Sequence, residues 1–175
     1  MAAEAFDSIM ASLDAPMAVV TTSAGDERAG CLIGFHSQAS IDPQRFAVWL
    51  SKANHTSRVA LLSTHLAVHL LTDDDHDLAE LFGERSGDEV DKFAECDWES
   101  SESGPPLLTR CPNRIVLRRL TVLDDGGDHV CIVGEPVDAG TSGRFEPLRL
   151  SGVDDLEPGH DAEERPRPPT ERAAG

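Results

Sequence analysis

The chain has 175 residues and a formal net charge of −17, from 32 acidic and 15 basic side chains. This length suits a single domain that is large enough to bury a hydrophobic core. The negative charge makes binding to nucleic acid or to an anionic membrane surface unfavourable as a main activity.

The amino terminus and the cysteines together indicate a cytoplasmic protein. The residues Met1-Ala2-Ala3-Glu4 lack the basic region and apolar run of a signal peptide, and no later apolar run approaches membrane-spanning length. The four cysteines are widely spaced and include no CxxC pair, which argues against a zinc ribbon and against a disulfide framework. We therefore expect a cytoplasmic location and reduced thiols.

The amino-terminal third predicts a helix followed by a β-hairpin. Apolar residues at helical spacing before Pro16 predict a short amphipathic helix over residues 4–14 that covers the core; they are Phe6, Ile9, Met10 and Leu13. Residues 17–22 form an apolar, partly β-branched run typical of a strand. A turn at residues 23–26 then leads into a second strand over residues 28–34.

The middle of the chain alternates between strands and helices. Residues 45–50 predict a strand with both faces buried, residues 56–63 a short helix, and residues 65–71 another strand. The run Asp73-Asp74-Asp75 supplies capping carboxylates for a following helix, which we expect Gly83 to end.

The remaining sequence predicts a long loop, a second hairpin and a tail. Residues 84–104 are acidic and irregular, so we expect a loop with one helical turn, anchored by Phe93 and Trp98. Residues 113–123 and 129–137 predict two strands around a turn at residues 124–128. Residues 151–175 are acidic, proline-rich and almost without apolar side chains, which predicts a disordered tail.

Six or seven short strands with two or three helices predict a mainly β fold. We expect a closed or half-closed β-barrel with helical additions, formed by residues 1–150.

Two polar segments predict a flavin site. Residues 30–43 carry glycine, serine and glutamine between small apolar residues, so the backbone can approach a flat ring closely while side chains offer hydrogen bonds. In the second segment, Asn54, His55 and Thr56 stand at a predicted helix start, where free N–H groups and the helix dipole favour a phosphate.

Six short motifs occupy residues 16–22, 30–43, 50–56, 78–83, 104–108 and 127–137. In this order and spacing they resemble the flavin reductase-like family of the FMN-binding split-barrel class, and the resemblance extends over residues 6–150. It implies a Greek-key-like split β-barrel that forms a homodimer, with flavins in clefts between the subunits. It also implies an NAD(P)H-dependent flavin oxidoreductase that transfers hydride from NADH or NADPH to FMN or FAD, and that can supply reduced flavin to a monooxygenase.

The same resemblance assigns site residues. Those bordering the flavin ring are Cys31, Leu32, Ile33 and Gly34, and those on the ribityl and phosphate side are Ser37, Gln38, Ala39 and Ser40. The phosphate-side loop comprises Ser51, Lys52, Ala53, Asn54, His55 and Thr56, and Phe82 completes the cofactor-binding set. His129 is the catalytic candidate, near the reactive face where the nicotinamide stacks.

Less specific interpretations of these residues stay open. Asn54 and Thr56 also suit a plain helix cap, Lys52 a solvated surface charge, and His129 an exposed turn histidine. Two other functions remain: a non-catalytic FMN carrier, and a split-barrel protein that uses a deazaflavin or haem. The apolar Leu32-Ile33 pair and the acidic loop at residues 84–102 keep them open.

The sequence predicts no metal site. His65 and His69 share strand parity, but no third ligand has convincing spacing. The run at residues 73–75 lacks the glycine and the distal glutamate of a calcium loop.

Overall fold

A seven-stranded antiparallel sheet, curled into a half-barrel, organises the fold in a computed structural model that describes residues 1–159. Its strands are β1 (Ala18–Ala24), β2 (Glu27–Ile33), β3 (His36–Ser40), β4 (Arg45–Ser51), β5 (His65–Leu70), β8 (Arg114–Leu123) and β9 (His129–Gly140), in the spatial order β2-β1-β5-β8-β9-β4-β3. The short strands β6 (Trp98–Ser100) and β7 (Pro106–Leu108) pair separately. The helices are α1 (Ala2–Leu13), α2 (His55–Leu62) and α3 (His76–Glu84). The predicted mainly β split-barrel class is confirmed.

Both predicted hairpins are present, with registers that their turns explain. β1 pairs with β2 up to Ala24 opposite Glu27, which leaves a two-residue loop. Gly25 opens that loop at φ +60°, a conformation that hairpin turns reserve for glycine. β8 and β9 pair along the longer second hairpin, and β9 also pairs with β4.

The core has two layers because β1 is covered on both faces. Val20 is fully buried inside the half-barrel, in a cluster that includes Val48 and Ile132. Its neighbour Val19 faces the other way, into a cluster that includes Phe82 of α3. Successive residues of a strand point to opposite faces, so an unbroken apolar run such as residues 17–20 is what this position requires.

The acidic segment at residues 84–104 agrees with its prediction. A single 3₁₀ turn spans Lys92–Ala94, and Phe93 is buried. The indole Nε1 of Trp98 donates a hydrogen bond to the Phe93 carbonyl at 3.1 Å, so the two aromatics anchor the loop. In the earlier acidic run, Asp75 accepts hydrogen bonds from both the backbone N and the hydroxyl of Thr72. These bonds cap a 3₁₀ turn over Asp73–Asp75 that precedes α3, whereas α3 itself has no side-chain cap within residues 1–159, contrary to the prediction.

Three further expectations are wrong. Helix α1 does not cover the core: none of its residues is buried, and Phe6 and Leu13 are 59% and 65% exposed. Gly83 does not end α3, which continues to Glu84. A Cβ at Gly83 would lie 3.0 Å from Cδ2 of Leu32, so this glycine lets α3 approach β2 closely.

The third correction concerns the predicted tail. Residues 151–159 are folded onto the domain: a 3₁₀ turn spans Leu150–Gly152, and Val153 is buried in the cluster around Phe82. The rest of the predicted tail, residues 160–175, lies outside the described residues.

A buried histidine joins three strands. His69 of β5 is completely buried, and its Nε2 accepts a hydrogen bond from the Leu108 N–H at 3.1 Å. The Nδ1 atom therefore carries the proton, which it donates to the Val19 carbonyl at 3.2 Å. Burial lowers the pKa of His69 to about 4, so the folded protein holds this ring neutral.

Acidification should therefore destabilise the protein through His69. The pKa of His69 is lower in the folded state than in the unfolded state, so protons bind more readily to the unfolded chain. The free energy of unfolding is therefore highest above pH 6.5 and decreases as pH falls toward 4. We expect protonation of His69 in the unfolded chain to lower the free energy of unfolding by roughly 2 kcal/mol when the pH is changed from 7 to 5. Urea unfolding of wild type and His69→Gln at both pH values measures this loss. Equal pH dependence in the two proteins would contradict the assignment.

Candidate functional site

A cavity of about 490 Å³ opens where β2, the end of β4, the carboxyl end of α3 and residues 150–158 meet. Most of its walls are apolar, with polar groups from Ser51, Asn54, His129 and Glu157. A mostly apolar cleft of this size with a few placed polar groups is typical of small-molecule sites.

The β2 segment supplies one wall. Leu32, Ile33 and Gly34 line the cavity, as predicted for the ring-facing segment. Cys31 does not, because it lies one pair further into the sheet, opposite Val20, and is buried in the core. Burial raises the pKa of its thiol.

Phe82 forms the base of that wall. Its ring is buried and lies against Gly30, where a Cβ would come within 2.7 Å of Cε1. The ammonium of Lys92 sits 5.5 Å from the ring centroid and donates hydrogen bonds to the Gly30 and Phe82 carbonyls, both at 3.1 Å. Desolvation lowers the pKa of Lys92. The loop therefore ties α3 to β2 behind the cavity.

The phosphate-side loop is divided between several environments. Of its six predicted residues, Ser51 and Asn54 line the cavity. Lys52 pairs with Asp124, its Nζ lying 2.6 Å from Oδ1. The Ala53 N–H donates a hydrogen bond to the Ser51 hydroxyl at 3.3 Å, and this bond stabilises the conformation of the loop.

The first residues of α2 face away from the cavity. His55 is held between carboxylate oxygens of Glu27 and Asp88, each 3.0 Å from a ring nitrogen. Thr56 is buried, and its side chain hydrogen-bonds the Cys31 thiol. These two side chains therefore build the fold around the loop in one protomer.

The four residues assigned to the ribityl side lie on β3, at the edge of the sheet. Ser37, Gln38 and Ala39 are exposed, Ser40 is half-buried, and none lines the cavity of the single chain. The Ser37 hydroxyl donates to the Gln38 carbonyl, and the Gln38 amide to the Ser40 carbonyl. They lie on an edge strand of the sheet.

His129 stands at the polar end of the cavity. It is opposite Ser51 in the pairing of β9 with β4, and its ring centroid lies 5.1 Å from that of Phe35. Nδ1 lies 2.8 Å from Oδ1 of Asp128, and since a carboxylate only accepts, Nδ1 donates. His129 is half-buried rather than an exposed turn residue.

Some lining residues were not identified from the sequence. Trp49 shares strand parity with Ser51, so alternation along β4 could have found it. Leu150, at the end of the predicted domain, and Val153 and Leu156 of the predicted tail recur every three residues, and all three line the cavity. Lys92 carried no signal, because one basic residue in an acidic loop reads as a solvated charge.

The described residues offer no alternative metal centre. Within residues 1–159, no group of three or more histidine, cysteine, aspartate or glutamate side chains is arranged to hold an ion. In the same part of the chain, no helix has the length and apolar character needed to span a membrane.

A family model described as "Flavin reductase like domain" matches residues 10–151. The chain therefore belongs to this family, and the family predicted from the motifs is confirmed. The predicted class of enzyme, a flavin reductase with flavin and nicotinamide cofactors, is confirmed at the level of the family.

Individual relatives agree with this assignment. The FMN reductase (NADH) SmoA of Agrobacterium fabrum is 31% identical over 149 residues, which are 84% of this chain and 81% of SmoA. The flavin-dependent monooxygenase reductase subunit HsaB of Mycobacterium tuberculosis is 28% identical over 129 residues, 74% of this chain and 67% of HsaB. The NADH:FAD oxidoreductase SgcE6 of Streptomyces globisporus, whose structure was solved in complex with NAD and FAD fragments, shares 25% sequence identity with this chain. The two structures superpose with a TM-score of 0.70 over 79% of this chain and 81% of SgcE6.

The contact between Phe82 and Gly30 should be sensitive to one methyl group. In Gly30→Ala the new Cβ meets the Phe82 ring and the Val20 carbonyl, so we expect a loss of roughly 1–3 kcal/mol in unfolding free energy. Gly34→Ala is the matched control, because its Cβ would meet only the flexible Met17 side chain. Urea unfolding measures both, and equal stability of the two variants would contradict this packing.

Proposed function

We propose that this protein is an NAD(P)H-dependent FMN reductase whose flavin occupies the 490 Å³ cavity. The observation that carries the proposal is the meeting of Leu32–Gly34, Ser51, Asn54 and His129 around one cleft. Family membership and the similarity to SmoA support the choice of chemistry and of FMN. The similarity to HsaB supports a role in supplying reduced flavin to a flavin-dependent monooxygenase.

The cavity residues have different roles in such a site. The flavin supplies the redox chemistry by accepting hydride from a nicotinamide. Leu32, Ile33 and Met17 exclude water from an apolar ring, and Ser51 and Asn54 bind the phosphate beside the start of α2. Asp128 holds the proton of His129 on Nδ1, which leaves Nε2 to meet the substrate.

We propose a homodimer as the functional form. The support is exposed apolar surface in the protomer: the Phe6 face of α1, Phe35 at 59% exposure and Ile41 at 82%. Contiguous exposed apolar surface marks interaction sites. Phe35 and Ile41 flank the edge strand β3, which carries Ser37 and Gln38, so a partner at this edge brings the ribityl-side residues into a shared cleft.

We further propose that the dimer works in the cytoplasm. All four cysteines are free thiols, as a reducing compartment favours.

A charge at the proposed interface should separate the subunits. Ile41→Asp places a carboxylate on a side chain that is largely exposed in the protomer, so the fold should survive while burial of the charge disfavours association. We expect a dimer for wild type by sedimentation equilibrium and at least a tenfold weaker dimer for the variant. Asp42→Asn, at the next position, serves as the control. A monomeric wild type would contradict the proposal.

Removal of the Asn54 amide should weaken FMN binding. A hydrogen bond to a charged group contributes about 1.5–3 kcal/mol, so Asn54→Ala should raise the FMN dissociation constant by roughly tenfold or more. Quenching of flavin fluorescence measures it. Gln44→Ala removes an amide from an exposed turn outside the cavity and should leave affinity unchanged. Unaltered binding in Asn54→Ala would refute the placement of the phosphate.

The pairing of Lys52 with Asp124 allows a sharper test of the phosphate end. The ammonium of Lys52 is paired with the Asp124 carboxylate. If Lys52 also binds the phosphate, Asp124→Asn removes the competing anion and should tighten FMN binding by roughly threefold. Asp125→Asn removes the same charge from the same turn. Within residues 1–159, Asp125 accepts a hydrogen bond from the Gly127 N–H and pairs with no cation. Equal affinities for the two variants would show that Lys52 does not take part.

A further inference from the structure

Residues 150–159 form a strap across the cavity, and most of it lies beyond residue 151, where the family match ends. Its apolar side chains Leu150, Val153 and Leu156 line the cavity, and Val153 is buried. The strap therefore supplies part of the cavity wall from residues that lie mostly outside the family match.

The start of the strap is fixed to the connection between α1 and β1. The backbone N and the hydroxyl of Ser151 donate to the two carboxylate oxygens of Asp14, both at 2.8 Å. The Leu150 N–H donates to the Ala15 carbonyl at 2.9 Å. These bonds hold Leu150 at the cavity.

The end of the strap is fixed to α3. Asp155 pairs with Nε2 of His76 at 3.1 Å, and the Glu157 N–H donates to Oε1 of Glu84 at 3.1 Å. The Gly159 N–H donates to the Gly83 carbonyl at 3.2 Å. Because Gly83 itself lines the cavity, Glu157 is held beside the wall made by α3 and β2.

Glu157 gives the cavity its charge. Among the lining residues within the described part of the chain, it is the one carboxylate, and His129 is the other ionisable side chain. The Glu157 carboxylate makes no ion pair within residues 1–159. The strap therefore adds one uncompensated negative charge to an otherwise apolar wall.

We propose that Glu157 makes the cavity bind reduced flavin less tightly than oxidised flavin, which favours release of the reduced product. The proposal rests on the proposed function. Hydride from NAD(P)H adds two electrons and one proton to the flavin and leaves NAD(P)⁺. At neutral pH the reduced ring therefore carries one additional negative charge. A carboxylate at the cavity wall repels that charge, whereas the oxidised ring is neutral and is not repelled.

The test compares Glu157→Gln with Asp154→Asn in FMN-loaded protein. Both residues are exposed and both variants remove one charge from the strap, but only Glu157 lines the cavity. The readouts are the midpoint potential of bound FMN, by spectroelectrochemical titration, and the dissociation constant of oxidised FMN. Glu157→Gln should strengthen binding of the reduced form relative to the oxidised form by about threefold, a rise of roughly 15 mV for two electrons. The rise should shrink in 0.5 M salt, because ions screen exposed charges.

The possible results separate the role of Glu157 from the proposed function itself. A rise in Glu157→Gln that is absent in Asp154→Asn supports the proposal, and Glu157→Asp should restore the wild-type potential. Equal potentials in Glu157→Gln and wild type, with FMN bound and reduced by NADH or NADPH, overturn the proposal and leave the proposed function standing. Failure of the wild-type protein to bind FMN overturns both.

Discussion

The close packing of α3 against β2 is the contact on which the rest of the structure depends. The Phe82 ring packs against Gly30, and the Leu32 side chain packs against Gly83. Because these two glycines lack Cβ atoms, the helix can approach the strand closely. Lys92 then fixes the position by donating to carbonyls on both elements. This contact buries the outer face of β1, forms the cavity wall, and presents the Gly83 carbonyl on which the strap ends.

The charge of the protein constrains how the cavity can work. A chain with a net charge of −17 does not attract a phosphate or a dinucleotide by its overall field. Lys52 is paired with Asp124, and Arg58 with Asp88, so the nearby cations are already engaged by carboxylates. In the proposed function, the phosphate is therefore bound chiefly by hydrogen-bond donors at Ser51, Asn54 and the start of α2. The same acidity suits release of a product that has gained negative charge.

The sequence predicts the strands well and the partners of its helices poorly. Alternation and turn residues identify both hairpins, because the period of a strand and the φ of Gly25 are local properties. The apolar face of α1 follows from the same reasoning, but periodicity does not predict which residues cover that face, and within residues 1–159 no residue of α1 is buried. Residues 151–159 were missed because their acidic, proline-rich composition outweighed the three-residue spacing of Leu150, Val153 and Leu156. The site residues stay predictions: Leu32, Ser51, Asn54 and His129 lie around one cavity, whereas the burial of Thr56 beside Cys31 depends on contacts between distant segments.

The central claim is that the cavity holds a flavin that a nicotinamide reduces. The most direct test is the visible absorption spectrum of FMN-loaded protein under anaerobic conditions, before and after addition of NADH and then of NADPH. The account predicts a bound oxidised-flavin spectrum that is bleached by at least one of the two donors. A bound flavin that neither donor bleaches would contradict the reductase and indicate a carrier, and absence of flavin binding would contradict the assignment of the cavity.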